Sequence, residues 1–580
     1  MTEHGTAAAP KTAATPPAYV APLELLERAT SWRDDDPDAA TRAELDAVIA
    51  AAAAGDAEAG ADLADRFVGM LEFGTAGLRG ALGAGPNRMN RSVVIRAAAG
   101  LTAYLKEAAP KPLVIIGRDA RHNSDVFAID TAAVVVAAGG RAMVLPRPLP
   151  TPVLAFAVRH LGANAGVMVT ASHNPAVDNG YKVYLGDGSQ IVPPSDAKIA
   201  AHIAEVGLVA DVPRASSGWT TLNDDVLEAY LDAAAAVVSA GGPRELRIVH
   251  TALHGVGSDV ILAAFLRAGF SAPIVVASQC EPDPEFPTVV FPNPEEPGAI
   301  DAALTLAARE HADLVLANDP DADRCAVAVP DPGAATLDNP SGWRMLRGDE
   351  VGSLLGAHIL ARGVGADDVF ANSIVSSRLL AAMAAGAGIR HEETLTGFKW
   401  ISRVPGLRYG YEEALGYCVD PHQVRDKDGV SAALMLAEMA AGLRTQGRSL
   451  LDVLDDLTLT HGVHATDSFA VRVDDLGVIG TLMARLRQDP PTVLGGVPVS
   501  RIDDLSEGSE QLPPTDGLRY DLEDQSRVIV RPSGTEPKLK VYLEVIVPVG
   551  SASGLAAAKV AARGRLDRVG ASMHALTDVT

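Results

Sequence analysis

VMVTASHNPA, Val167 to Ala176, runs from an apolar stretch directly into a serine, a histidine and an asparagine. An apolar run that ends abruptly in a polar loop is the pattern of a buried sheet strand whose carboxyl end faces a ligand. The same pattern recurs in PLVIIGRD, GRAMVLP, LRIVHTA, PIVVAS, ADLVLAND and DDVFANSIV, short β-branched runs separated by helical periodicity. Such alternation predicts α/β units with largely buried sheets. The last part of the chain differs. There DSFAVRVD, SRVIVRPS and KLKVYLEVIV read as strands of a smaller α+β unit that ends in the helix LAAAKVAARGRLDRVGASM.

The chain has 580 residues, which at roughly 100 to 200 per domain implies several domains with ample core. A hydrophobic fraction of 48% beside 21% charged residues excludes wholesale disorder. Clusters of Gly, Pro and Asp near residues 222, 344 and 464 divide it into a mobile tail (1–22), α/β domains at 23–222, 223–344 and 345–464, and an α+β domain at 465–580. The net charge of −24 argues against nucleic acid or an anionic membrane as a partner, and it requires a site for anions to gather its own cations. Cys280, Cys325 and Cys418 are far apart and form no C-x-x-C pair, so neither a disulfide framework nor a zinc site is indicated and the cytoplasm is the expected compartment. The most apolar stretch, VFAIDTAAVVVAAGGRAMVLP, is broken by Asp130, two glycines and Arg141, the pattern of helix, turn and buried strand rather than a membrane span.

Four clusters carry the chemistry. A serine after a strand is ordinarily a turn residue or a helix cap, but Ser172 is followed by His173 and Asn174, and Lys182 stands within reach; no G-x-S-x-G elbow exists to support acyl hydrolysis. In NDPDADRC, Asp319, Asp321 and Asp323 alternate with Pro320 and Ala322, and on an extended segment they project to one side, where their mutual repulsion calls for a cation. Hard oxygen ligands suit Mg²⁺. An EF-hand loop would need Gly at its sixth position and Glu at its twelfth, where Arg324 and Pro330 stand. The stretch RVIVRPSGTEPKLKVYLE gathers Arg531, Ser533, Gly534, Thr535 and Lys538 into one loop between strands, an anion cradle. In YEEALGYCVDPHQVRDKDG, Glu412 and Glu413 are candidate acceptors for sugar hydroxyls and Lys427 a candidate for proton or phosphate handling, although taken alone each reads first as an ordinary surface charge, while Thr75 and Arg79 of FGTAGLRG offer an anion contact. With no Gly-Lys dipeptide in the chain, a Walker A loop is excluded.

These motifs, in this order, resemble the α-D-phosphohexomutase superfamily of phosphoglucomutases and phosphomannomutases, from about Phe73 to near the C-terminus. The resemblance implies four domains around a central cleft: three related α/β domains with mixed sheets and a C-terminal α+β domain of TATA-binding-protein-like fold. It implies Ser172 as the phosphoserine, with Asp319, Asp321, Asp323 and the phosphorylated Ser172 as Mg²⁺ ligands and Arg324 as a phosphate contact. Lys182 and Lys427 match positions with proton-transfer roles, and His173 and Arg79 are further contacts. Thr396, Gly397 and Glu412 match the sugar-recognition region, and Arg531, Ser533, Gly534 and Thr535 the loop that holds the nonreacting phosphate. The expected activity is interconversion of 1-phospho and 6-phospho hexoses, glucose or mannose, through a bisphosphorylated sugar that also serves as activator. One departure is that Ala414 stands where many hexose-specific members carry a serine. EEALGY, RDKDGVSAA and HTALHGVG look closest to the phosphoglucomutase-2-like branch, which makes pentose phosphates the alternative substrates. A sugar phosphatase using the same serine, and a noncatalytic sugar-phosphate-binding protein, are the remaining readings.

Overall fold

The computed structural model describes residues 21–71, 77–334, 342–473, 476–510, 512–533 and 538–578. Thr75, Gly534, Thr535 and nearly all of the expected tail lie outside the described residues. Four sheets surround a central cleft. The first is six-stranded, in the order 78–81, 178–185, 165–169, 113–118, 141–144, 220–221. The second is five-stranded (343–345, 326–330, 314–317, 248–251, 274–275) and the third four-stranded (390–394, 369–373, 407–412, 416–418). All three are mixed: a parallel core is followed by one strand that reverses direction. The fourth sheet, six strands from Val463 to Val547, is antiparallel throughout and is covered by the helices Leu476–Gln488 and Leu555–Thr577.

The reversal point of each mixed sheet builds the cleft. The loop between Ala165–Val169 and Asp178–Leu185 carries Ser172, that between Leu314–Ala317 and Ala326–Pro330 carries the three aspartates, and that between Leu407–Glu412 and Gly416–Cys418 carries Ala414. Each of these loops contains one non-glycine residue in the left-handed region: Ser172 (φ 52°), Ala322 (φ 52°) and Leu415 (φ 63°). Such a conformation is disfavoured for L-residues and persists only where surrounding contacts over-determine it. The aspartates therefore do not sit on the expected extended segment. The amide of Ala322 donates to the carbonyl of Asp319 at 2.8 Å, closing a turn with Pro320 at its second position. The physical reason is reach: same-side residues of a strand stand nearly 7 Å apart, too far to share a small cation, whereas the turn gathers three carboxylate oxygens within 4.8 Å of one another.

Packing joins the first three domains. Strand Leu113–Arg118 sends Leu113 and Ile115 into one hydrophobic cluster that continues through Val249 and Phe265 to Phe370, Tyr409 and Leu434, and sends Val114 and Ile116 into a second cluster private to the first domain. The fourth domain has its own core around Leu482, Tyr520, Val541 and Met573. It meets the third across a small patch of Ile374, Val375, Leu395, Leu505, Ile529 and Tyr542. Ahead of the first sheet, helices Leu23–Asp35, Ala39–Ala53 and Ala57–Arg66 form a separate small core. Among the described residues no helix is long and apolar enough to cross a membrane.

Gly255 backs the aspartate turn: a Cβ there would lie 2.2 Å from the Pro320 Cα and 2.4 Å from its carbonyl oxygen, both backbone. Gly255→Ala is expected to destabilise by roughly 1–3 kcal/mol, seen as an earlier urea or thermal transition. Gly442, inside helix Gly429–Thr445, has nothing within 4 Å of such a Cβ. Gly442→Ala is expected to be neutral or to stabilise by up to about 1 kcal/mol; equal effects at the two sites would contradict the packing described.

Candidate active site

Ser172 is held from behind. The guanidinium of Arg121, buried in the first domain, donates to four loop carbonyls: Ser172 and Asn174 at 2.6 Å, Pro175 at 2.7 Å and Asp178 at 3.0 Å. The Ser172 amide donates to Thr170 Oγ1 at 2.9 Å. These contacts sustain the left-handed backbone and direct the hydroxyl out of the first domain, where it donates to Asp319 Oδ2 of the second at 2.7 Å. His173 Nδ1 stands 3.2 Å from the same hydroxyl. Burial, with Arg324, Arg79 and the lysines Lys540 and Lys538 nearby, holds this imidazole well below its ordinary pKa. Arg79 donates to Asn174 Oδ1 at 2.8 Å, and burial lowers its pKa.

The aspartate turn draws partners from three domains. Asp321 Oδ2 accepts from Thr151 Oγ1 at 2.5 Å and from Lys182 Nζ at 2.7 Å. Lys182 also donates to Asp323 Oδ2 at 2.9 Å, and Lys427 of the third domain lies 3.2 Å from the same oxygen. The sequence led us to expect Lys182 to reach back to the serine loop; paired with Met168 across the sheet, it instead extends to the carboxylates. Burial, reinforced by the other two carboxylates, pushes Asp319 up to about 8. Burial also acts upward on Asp321, but the Lys182 ammonium outweighs it and holds Asp321 below the usual range. Lys427 is raised: burial acts downward and is outweighed by Asp323, Asp426 and Glu412. Asp321 Oδ1 and Asp323 Oδ1 are buried with no hydrogen-bond partner among the described residues. Two orphaned carboxylate oxygens beside Asp319 are an incomplete shell for which a hard dication such as Mg²⁺ is the fitting occupant.

A cavity of about 190 Å³ opens in front of this cluster. Arg79, Ser172, His173, Lys182, Asp323 and Arg324 line it from the first and second domains, Thr396, Gly397, Glu412 and Lys427 from the third, and Arg531 and Ser533 from the fourth. Asp319 and Asp321 lie fully buried behind the first of these walls. The described candidate residues thus converge on one site. Glu413 also lines it, but its Oε2 accepts from Ser373 and Ser376, each at 2.9 Å, so one of its oxygens is already occupied by protein donors. Burial raises Glu412 above the ordinary carboxylate pKa. The aspartate loop and the loop that carries Ala414 are stitched together by the Cys325 amide donating to the Leu415 carbonyl at 3.1 Å.

Several lining residues were not among the candidates. Lys540 and Tyr542 line the fourth-domain end, Lys540 directly across from Arg531 in the antiparallel register; the period-two spacing Lys538, Lys540, Tyr542 on a strand was the available signal. Asn293 and Glu295 enter from a second-domain loop, and Arg121 and Thr151 act from outside the motifs. Nothing local in the sequence marks these four.

Comparison with known proteins agrees with this architecture. The sequence matches the phosphoglucomutase/phosphomannomutase α/β/α domains I, II and III over residues 70–209, 228–333 and 347–460, and the C-terminal domain of that family over 472–557. It is 47% identical over 461 residues to a protein of Haemophilus influenzae named "probable phosphomannomutase", covering 79% of this chain and 93% of that one. It is 34% identical over 579 residues to the phosphopentomutase of Homo sapiens, covering 91% and 92%. The fold matches that of a phosphoglucomutase/phosphomannomutase family protein from Burkholderia thailandensis with a TM-score of 0.65 at 19% identity, over 88% of this chain and 98% of that one. With the serine loop, the acidic turn and the cation-lined end facing one another across a single cleft, the chain belongs to the phosphoglucomutase/phosphomannomutase family of the α-D-phosphohexomutases and is a phosphomutase, an isomerase of that type.

Proposed function

We propose that the protein interconverts the 1- and 6-phosphates of glucose and mannose, carrying the transferred phosphoryl group on Ser172. The observation that carries this reading is the hydroxyl of Ser172 at 2.7 Å from Asp319, facing a cavity whose opposite end is cationic. The phosphoserine P–O bond breaks as a sugar hydroxyl oxygen bonds to phosphorus. In net terms the sugar hydroxyl proton goes to the departing Ser172 oxygen. Lys182 or Lys427, each held as an ammonium by the aspartates, relays it, giving its proton to that oxygen and regaining one from the sugar hydroxyl, and the bisphosphorylated sugar then turns so that its other phosphate returns to Ser172. Arg79 and Arg324 face the charge that develops during transfer, and Arg531, Ser533, Lys538 and Lys540 hold the phosphate that does not react. The residues that would hold Mg²⁺ are Asp319, Asp321 and Asp323 with the Ser172 oxygen or its phosphate, and the bound ion would supply Lewis-acid neutralisation of the phosphoryl oxygens. A sugar bisphosphate of the glucose 1,6-bisphosphate type would prime the serine.

Hexose specificity rests on Glu412 and the cavity, and the Haemophilus relative's name supports it. Pentose phosphates are the second reading, favoured by Ala414 in place of a serine and by the human relative that matches over nearly its whole length.

Three outcomes are expected. Peptide mass mapping of active protein finds phosphate on Ser172, and Ser172→Ala lowers turnover by about 10³-fold or more; phosphate on another residue with an active alanine variant would overturn the assignment. Chelation removes at least about 99% of activity and Mg²⁺ restores it, so full turnover after exhaustive chelation would exclude the aspartates as ligands. Finally, kcat/KM for glucose and mannose 1-phosphates lies within about tenfold, because a site lacking a dedicated partner for one hydroxyl rejects its epimer poorly. A ribose 1-phosphate preference of about a hundredfold would transfer the assignment to pentoses while leaving the transfer chemistry intact.

A further inference from the structure

The loop Glu281–Ala299 leaves the second domain and returns to it; the Asp283 amide and the Thr288 hydroxyl tie it back to His254, at 3.0 and 2.8 Å, and the rest of it reaches two other domains. Its first half touches the first domain: Glu285 pairs with His122 at 2.5 Å, and the ring of Phe286 lies 4.9 Å beneath the Arg121 guanidinium that clamps the serine loop. Its second half touches the fourth domain, where Arg472 lies 5.5 Å over the Phe291 ring and 3.8 Å from the carboxylate of Glu296. Between these anchors, Asn293 Oδ1 accepts from the Glu295 amide at 3.2 Å and the Asn293 carbonyl accepts from the Glu296 amide at 3.0 Å. This Asn-led turn places Glu296 against Arg472 and Glu295 on the wall of the cavity that Glu412 and Ala414 also line.

A carboxylate in a cavity that must bind phosphate is electrostatically unfavourable unless it does something a neutral group cannot. Ala414 offers no side-chain hydrogen bond, and one oxygen of the neighbouring Glu413 is occupied by Ser373 and Ser376. A sugar held between the serine and the cationic end still presents hydroxyls that must be paired. From this arrangement we infer that Glu295, supplied by the second domain, is a sugar-hydroxyl acceptor that acts with Glu412 and takes the place left without a polar side chain at Ala414. The inference rests on the phosphosugar mutase reading above. It assigns specificity to a domain other than the one that carries the sugar loop, and its acceptor is held by contacts to both the first and the fourth domains.

The test pairs protein and substrate deletions. Wild type, Glu295→Ala and the isosteric Glu295→Gln are compared on glucose 1-phosphate and on its 2-deoxy, 3-deoxy and 4-deoxy analogues, with glucose 1,6-bisphosphate as activator and thermal melting as the fold control. At least one hydroxyl deletion that costs the wild type about tenfold or more in kcat/KM is expected to cost Glu295→Ala less than about threefold, with Glu295→Gln between them. A loss of simple packing or loop anchoring would lower kcat/KM for all four sugars alike and overturn the inference. So would a uniform fall in KM on removing the charge, the sign of a residue that merely repels phosphate. If the wild type turns over none of the hexose or pentose 1-phosphates, the mutase reading itself fails; if it is active and every deletion costs variant and wild type equally, only the role of Glu295 fails.

Discussion

Three aspartates buried within one short turn dominate the energetics of the molecule. Two unit charges at the 4.8 Å limit of their ligand atoms repel by roughly 3–4 kcal/mol at an effective dielectric of about 20, and all three side chains are cut off from water. The surrounding structure answers this repulsion. Lys182 and Thr151 come from the first domain, Lys427 from the third, Arg324 from the turn itself, and the Ser172 hydroxyl donates to the one carboxylate that burial and its neighbours push toward protonation. The charge cluster thus acts as a keystone for the first three domains, since the first and the third each contribute donors to it. Its two unpartnered oxygens show that the protein alone leaves the neutralisation incomplete.

The strongly local features were legible in the sequence. Each strand that ends in a functional loop shows the apolar run followed by a polar break, and the serine, aspartate and phosphate loops each hold their chemistry within a few residues. The extended reading of the aspartates failed because alternate spacing is also the periodicity of a strand; Asp319-Pro320 was the competing turn signal, and the left-handed Ala322 that follows has no propensity signature. Arg121 could not be found in advance because its function is to serve carbonyls some 50 residues away, and a backbone acceptor leaves no trace in side-chain identity. Lys182 was recognised as an active-site group, yet its partners were misjudged, since sequence proximity to Ser172 says less than the pleat that aims it at the second domain.

The three mixed sheets place their reversal loops at one topological position, and each loop presents different side chains to the cleft: a serine, a cluster of three aspartates and a pair of glutamates. A shared backbone solution, one strained non-glycine residue per loop, serves three chemistries because the strain sets direction and leaves side-chain identity free. The fourth domain adds the cationic end from an unrelated antiparallel sheet, so the cavity is closed by a wall whose architecture differs from that of the other three.

That difference reappears in the continuity of the hydrophobic interior. Because one cluster runs from Leu113 through to Leu450, the first three domains share a cooperative unit: none can loosen without exposing apolar surface of the others. The fourth domain, with a private core and only a small apolar patch against the third, is bound to the rest chiefly by ion pairs such as Arg378 with Glu544 and Arg527 with Glu393. A polar seam exchanges its partners for water at little cost, whereas a fused core does not. The molecule is therefore mechanically a rigid three-walled vessel with a separable fourth wall, and the low-energy coordinate for widening the cleft is the displacement of the fourth domain.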